Sequence, residues 1–371
     1  MKHIWIKIGT FIIFMALFAT GLHIASQKPL WNDERYSLAV STLGASYQNL
    51  VMGHLSEGNN SPLFYVLQKI QCDLTSFHFP ESWFKGEWVE NSEAQLFIRV
   101  QPVLYVALAL AALFYYFSVR ECVFLGVYAC AIALSSFMLW SYTMQARPYA
   151  MLFALTLIQL LLVMEILGFP NRFKSLRWGL IGIHVALAFL SAVSLIQVVI
   201  VSAVIGLFVD RQWKTYILLT IVPVAICLYY QAVAIKLSFF FADGPLALVN
   251  ANIPNDRMFI LVLGGCYIAW EYWRTKRLTA TGKFFIFSCL ILAAYAVLVL
   301  KLQWTEAVGK GSFQVSNRYF MSLTPVGIIA VTVLSNELIK GLPHQILKWM
   351  WVIVLAGLLY FRVKRTMAFG Y

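Results

Sequence analysis

Apolar positions in this chain do not alternate with polar ones; they run on. Stretches such as residues 4–25, 150–168 and 284–300 carry almost no charge on any face. A helix needs about 20 such residues to cross the hydrocarbon core of a bilayer. Inside lipid every backbone amide must be bonded within the chain, so runs of this kind predict helices. Buried helices of a large soluble protein would show polar faces, and most of these runs have none. By run length the chain predicts about 11 crossing segments. They cover residues 4–25, 98–118, 121–140, 149–168, 178–192, 194–209, 215–236, 258–273, 283–301, 318–337 and 346–361. The fold class expected is an all-α polytopic membrane protein forming one domain over residues 1–371. No internal repeat or inverted pair of interrupted helices is visible, which counts against a transporter built from inverted repeats.

Residues 178–209 are long for one helix and short for two. Arg172, Lys174 and Arg177 precede them, and Arg211 and Lys214 follow. If basic loops face the cytoplasm, both ends are cytoplasmic and the chain turns back near residues 191–194. With that hairpin, Lys2, Lys7, Arg120, Arg274, Lys276, Arg277, Lys283, Lys340 and Lys348 all fall on one side. The tail residues Arg362, Lys364 and Arg365 depart from the rule, because an odd helix count puts them opposite. The first run is too long for a signal peptide and lacks a small-x-small cleavage site, so it reads as an uncleaved first helix.

The other face carries the long loop 26–97. Loops of this length are functional or disordered, and this one is too apolar to be disordered. Residues 36–52 and 63–71 suit short helices along the membrane surface, with Trp31, Trp83 and Trp88 at the interface.

Composition agrees: 61% of the 371 residues are hydrophobic and 12% are charged. A soluble protein carries about twice that charged fraction. The net charge of +12 comes mostly from basic residues flanking apolar runs, so it calls for no nucleic-acid partner. Five of the six cysteines lie in or beside apolar runs and Cys72 sits alone in the loop, which argues against a disulfide framework. No Cys or His cluster has zinc-ligand spacing.

Three short motifs carry candidate chemistry. The first is Trp31-Asn32-Asp33-Glu34-Arg35-Tyr36-Ser37, just past the first helix. An acidic pair at a membrane edge is costly without a task or a partner. It fits a general base or a metal ligand, or an acidic cap of the helix that follows. The second is Tyr142-Thr143-Met144-Gln145-Ala146-Arg147-Pro148-Tyr149. Arg147 opens an apolar run, and a guanidinium forms a planar fork that matches phosphate oxygens. The bland reading is an arginine reaching for lipid head groups. The third, Ser316-Asn317-Arg318-Tyr319, repeats that chemistry, with Lys310 upstream. The topology places all three motifs on one non-cytoplasmic face. A carboxylate and two arginines there suit group transfer from a lipid-borne phosphate.

With Asn59-Asn60-Ser61-Pro62-Leu63-Phe64-Tyr65 about 30 residues after the acidic pair, the set resembles the C-type (GT-C) integral-membrane glycosyltransferases. The nearest branch in appearance is that of the protein O-mannosyltransferases and the lipid A aminoarabinose transferase. The resemblance covers the first four helices and, later, Arg318-Tyr319. It implies a polyprenyl-phosphate sugar as donor, undecaprenyl or dolichyl, and a glycan, lipid or protein acceptor. It implies Asp33 as the catalytic base, with Glu34 orienting the loop or sharing a divalent metal. Arg147, Tyr149, Arg318 and Tyr319 would hold the donor phosphate, and Asn60, Tyr65, Gln145 and Lys310 are further substrate-binding candidates. It implies an integral protein of a bacterial inner membrane, with its site facing the periplasm or exterior. Two positions depart from the family: Asn60-Ser61 stands where His-Pro is frequent, and Gln145 where an acid is frequent.

Lesser candidates carry less. His54 and His78 lie in the loop without a spaced cluster; Asp243 and Asp256 read as helix caps; Glu165 and Glu271 sit near basic helix ends. The competing class is a lipid or solute transporter or flippase, which predicts charges in mid-membrane where this chain has almost none. A structural subunit would have no need of the acidic pair.

Overall fold

The computed structural model describes residues 2–54, 62–75, 77, 79–84, 87, 91–142, 144–210, 212–233, 245–307 and 320–369. Among the described residues no strand occurs. In chain order the α-helices are α1 (Lys2–Gln27), α2 (Asn32–Tyr36), α3 (Tyr47–Val51), α4 (Leu63–Thr75), α5 (Glu81–Phe84) and α6 (Ser92–Arg120). There follow α7 (Val123–Leu134), α8 (Phe137–Tyr142), α9 (Tyr149–Gly168), α10 (Phe173–Ala188), α11 (Leu195–Phe208) and α12 (Trp213–Val233). The last are α13 (Pro245–Asn252), α14 (Asn255–Thr275), α15 (Ala280–Ala307), α16 (Leu323–Gly341) and α17 (Gln345–Phe369). A π-helical turn over Ser37–Leu43 continues α2.

Among the described residues six helices are long and apolar enough to cross a membrane: α1, α6, α9, α12, α15 and α16. They fit an integral membrane protein. Three of the five remaining segments fall short of the run-length expectation for a physical reason; the other two, α14 and α17, have 21 and 25 residues. Helices α7, α10 and α11 have 12, 16 and 14 residues. At 1.5 Å per residue they reach about 18, 24 and 21 Å, short of a ~30 Å core. The run expected over 121–140 is broken at Ser135 and Ser136 into α7 and α8. The α10–α11 turn falls where the charge pattern puts it, as a 3-10 turn over Ala192–Ser194. In the loop, the expected 36–52 helix is instead the π-helical turn and α3, while the 63–71 helix runs on to Thr75.

Helices α9 and α16 form the centre. The stretch from Leu323 to Ser335 is buried on every side, and α9 packs against α6, α10, α11, α15 and α16. The two ends of the bundle differ in what gathers there. At one end Arg120 and Arg172 both pair with Glu165, their guanidinium carbons 4.6 and 5.1 Å from the Phe169 ring. Lys340 pairs with Glu121 at 2.9 Å there. At the other end the loop docks. The Leu63 amide donates to the Phe189 carbonyl at 3.0 Å, and the Tyr230 hydroxyl to the Val51 carbonyl at 2.7 Å. The Tyr295 hydroxyl donates to the Val193 carbonyl at 3.2 Å and lies 3.0 Å from Ser322 Oγ. Alternating helices therefore bring the start of α9, the α10–α11 turn and the start of α16 to the loop-bearing end.

Gly53 is where the loop meets α12. Its φ is +78°, and an added Cβ would stand 2.6 Å from the Tyr230 ring. An L-residue in that conformation costs about 1–2 kcal/mol before any clash. Gly53→Ala is expected to lower Tm in detergent and speed proteolysis of the loop while the bundle stays intact. Unchanged Tm and proteolysis would show that this contact does not anchor the loop.

Candidate functional site

The site is assembled where α1 ends. Pro29 follows Lys28, and the chain re-enters a helix at Asn32. Glu34, third in α2, reaches back so that the Trp31 amide donates to its Oε2 at 3.0 Å. This is half of a capping box. The same carboxylate does more. Its Oε1 accepts from Arg99 Nε at 2.9 Å and from the Ala146 amide at 2.7 Å, and its Oε2 accepts from Arg99 Nη2 at 2.7 Å. The other donors of Arg99 reach the carbonyls of Ala25 at 2.8 Å, Lys28 at 2.5 Å and Pro29 at 3.0 Å. A guanidinium has five N–H donors, and all are used. Arg99 and Glu34 are 2% and 1% exposed, so the pair is fully buried and fully bonded.

Through Ala146 this pair fixes the next turn, where the Arg147 amide donates to the Gln145 carbonyl at 2.7 Å. Pro148 then starts α9, since the Leu152 amide donates to its carbonyl at 2.9 Å. Arg147, 4% exposed, points back at the acidic motif. Its Nη1 donates to Ser37 Oγ and, at 3.2 Å, to the Asp33 carbonyl. Its Nη2 is 4.0 Å from Asp33 Oδ2 and 3.5 Å from the Tyr149 hydroxyl. The guanidinium lies 5.7 Å from the Tyr149 ring, within cation–π range. Ser37 opens the π-helical turn, a departure that recurs at functional sites. Asp33 keeps 33% of its side chain exposed, so of the two acids it is the one that meets solvent.

The structure thus brings together Asp33, Glu34, Arg147 and Tyr149, from segments more than a hundred positions apart. Tyr65 is wholly buried in the same hydrophobic cluster as Tyr149, edge-on to Phe64. Gln145 donates to the Ser141 carbonyl at 2.9 Å, and its Oε1 is buried without a partner among the described residues. Asn60, Lys310, Arg318 and Tyr319 lie outside the described residues, as do Trp88, His78 and Asp243, and the Asp256 side chain. The helix that follows Arg318-Tyr319 is pinned at this end. Thr324 donates to Asn252 Oδ1 at 2.7 Å, and Ser322 meets Tyr295.

Two buried arginines were missed by sequence reasoning. Arg99 sits at the edge of an apolar run and reads there as a flanking charge; an ionisable group within a span is the signal that finds it. Arg257 is 3% exposed and donates to the Ile132 carbonyl and Ser135 Oγ, each at 2.6 Å. It caps the end of α7, where the helix dipole favours a cation.

Among the described residues no three His, Cys, Asp or Glu side chains gather as a metal-ligand set. The donors around Asp33 and Glu34 are arginines and amides, a set that suits anions. No family model matches this chain, and no curated protein matches it.

Breaking a buried pair leaves an uncompensated charge and costs about 3–5 kcal/mol. Glu34→Leu and Arg99→Met are each expected to destabilise by that order in thermal unfolding. The double variant Glu34→Leu/Arg99→Met should recover much of the loss. A double variant whose loss equals the sum of the two single losses would show that the residues are not coupled.

Proposed function

We propose that this protein is an integral-membrane glycosyltransferase of GT-C type. It moves a sugar from a polyprenyl-phosphate donor, undecaprenyl- or dolichyl-linked, to a glycan, lipid or protein acceptor on the non-cytoplasmic face. The reading takes the chain as about 11 crossing segments, the short helices included, in a bacterial inner membrane with the site facing the periplasm or exterior. The observation that carries it is the meeting of Asp33 and Arg147, with the Arg147 guanidinium 4.0 Å from the Asp33 carboxylate at the end of the bundle where the loop docks.

The chemistry follows from the groups. An acceptor hydroxyl or amine gives its proton to the Asp33 carboxylate as its O or N forms a bond to the anomeric carbon. The bond from that carbon to the phosphate oxygen breaks, and the electron pair leaves with the lipid phosphate. Arg147, Tyr149 and, in this reading, Arg318 and Tyr319 stabilise the charge growing on the phosphate. Loss of one preorganised donor of this kind costs about 10²–10³ in rate. Glu34, bonded on both oxygens, orients the loop and leaves proton transfer to Asp33.

Two measurements test this. Mass spectrometry of lipid that copurifies with the protein should find a polyprenyl-phosphate sugar. With that donor, Asp33→Asn should fold with unchanged Tm and lose transfer by at least about 10²-fold, and Arg147→Lys should lose about 10²–10³-fold. Full turnover by Asp33→Asn removes Asp33 from the role of base.

A further inference from the structure

The end of the bundle away from the loop holds a cavity of about 180 Å³ that the transferase reading does not use. It lies between the ends of α6, α9 and α16 and the start of α15. Two ion-pair sets of opposite balance reach its lining, one through Arg120 and one through Glu121 and Glu337. Arg120 and Arg172 bond the same Glu165 oxygen and lie over Phe169, so two cations share one acid. Lys340 is 2.9 Å from Glu121 and 3.6 Å from Glu337, so two acids share one cation.

The lining also holds polar groups with nothing to bond. The Tyr116 and Thr281 hydroxyls and the Asn336 amide make no hydrogen bond among the described residues. Glu165, bonded to Arg120, is 8% exposed, and its Oε2 is buried with no partner among the described residues. Enclosed polar groups are ordinarily bonded, and each orphan calls for a partner. A second cavity, of about 250 Å³, adjoins the first at Asn336. It lies between α7, α16 and α17, and Leu125, Val352, Leu355 and Leu359 give it an apolar wall.

We propose that the two cavities together hold one zwitterionic phospholipid, whose head group carries a phosphate and a primary ammonium. The phosphate lies at Arg120, the ammonium at Glu121 and Glu337, and an acyl chain in the groove between α7 and α17. The charges decide between lipid classes. A purely basic pocket would take an anionic head group; a lining of both signs suits a head group that carries both. Carboxylates and the Asn336 carbonyl accept from N–H groups, which a quaternary ammonium lacks. The apolar groove decides for the lipid over its free head group. This site is at the opposite end from Asp33 and does not rest on the transferase reading.

The test uses the full chain in detergent, titrated calorimetrically with dihexanoyl phosphatidylethanolamine, its phosphatidylcholine and phosphatidylglycerol counterparts, and free phosphorylethanolamine. Wild type should bind the ethanolamine lipid about tenfold tighter than either counterpart, the effect of one charged hydrogen bond. Tyr116→Phe removes a hydroxyl that bonds nothing in the protein, so it should fold as wild type and bind about fivefold more weakly. Glu337→Gln should bring the ethanolamine and choline lipids level. Asp33→Asn should bind as wild type does. Choline lipid held by wild type as tightly as ethanolamine lipid overturns the ammonium position. Free phosphorylethanolamine held as tightly as the lipid overturns the groove. Wild type that binds none of the three lipids, or binding lost through Asp33→Asn, overturns the site. A second measure needs no variant to fold. Wild type purified from micelles holding equal parts of the three lipids should retain the ethanolamine lipid in excess, read by mass spectrometry; retention in proportion to the mixture again overturns the site.

Discussion

A single buried ion pair organises the loop-bearing end of this protein. Glu34 and Arg99 stand 65 positions apart and carry opposite charges out of water. Such burial is tolerated only when geometry and hydrogen bonding are complete, and here both side chains are saturated. Their partners come from four places: the end of α1, the start of α2, the second turn of α6 and the turn before α9. No one of these segments can move alone without stranding a charge. The loop between α1 and α6 is therefore part of the bundle's architecture, although its own hydrophobic cluster, around Leu38, Trp83 and Ile98, is small.

The consequence for the site is preorganisation. Asp33 and Arg147 are held by backbone that the ion pair has already fixed, one on each side of it. Arg147 is bonded to Ser37 and to the Asp33 carbonyl, so its charge is aimed before any ligand binds. Charge stabilisation of this kind acts without reorganisation at the moment of reaction. The buried polar contacts of Ser322, Thr324, Tyr295 and Asn252 do the same for the start of α16.

Much of the helical skeleton was legible in the sequence, because run length and the placement of basic residues are local signals. The α10–α11 turn is the clearest case: flanking charge located it, and the 3-10 turn over Ala192–Ser194 lies there. The break at Ser135 and Ser136 was not legible, since a serine pair in an apolar run looks like any other interruption. Asp33, Glu34, Arg147 and Tyr149 were picked out as motif residues, and the structure brings them into contact. Arg99 was not, because a charge at the rim of a span has the same local appearance whether it points to lipid head groups or into the protein. Only its partner distinguishes the two, and that partner lies in another segment. The buried pair of Gln159 and Gln197, joined across α9 and α11, was hidden in the same way. The π-helical turn at Ser37 follows from tertiary contacts and leaves no composition signal.

The brevity of α10 and α11 has its own consequence. Their 16 and 14 residues cover less than the thickness of a hydrocarbon core, and the Trp178 side chain shows that part of α10 faces outward. If the hairpin crosses the membrane, as the proposed reading takes it to, lipid beside it must thin to match it, at a modest cost per ångström. The polar surface of that membrane would then dip toward the protein at the turn that touches Leu63 and Tyr295. On that reading the deformed bilayer is itself part of the approach to the enclosed charges.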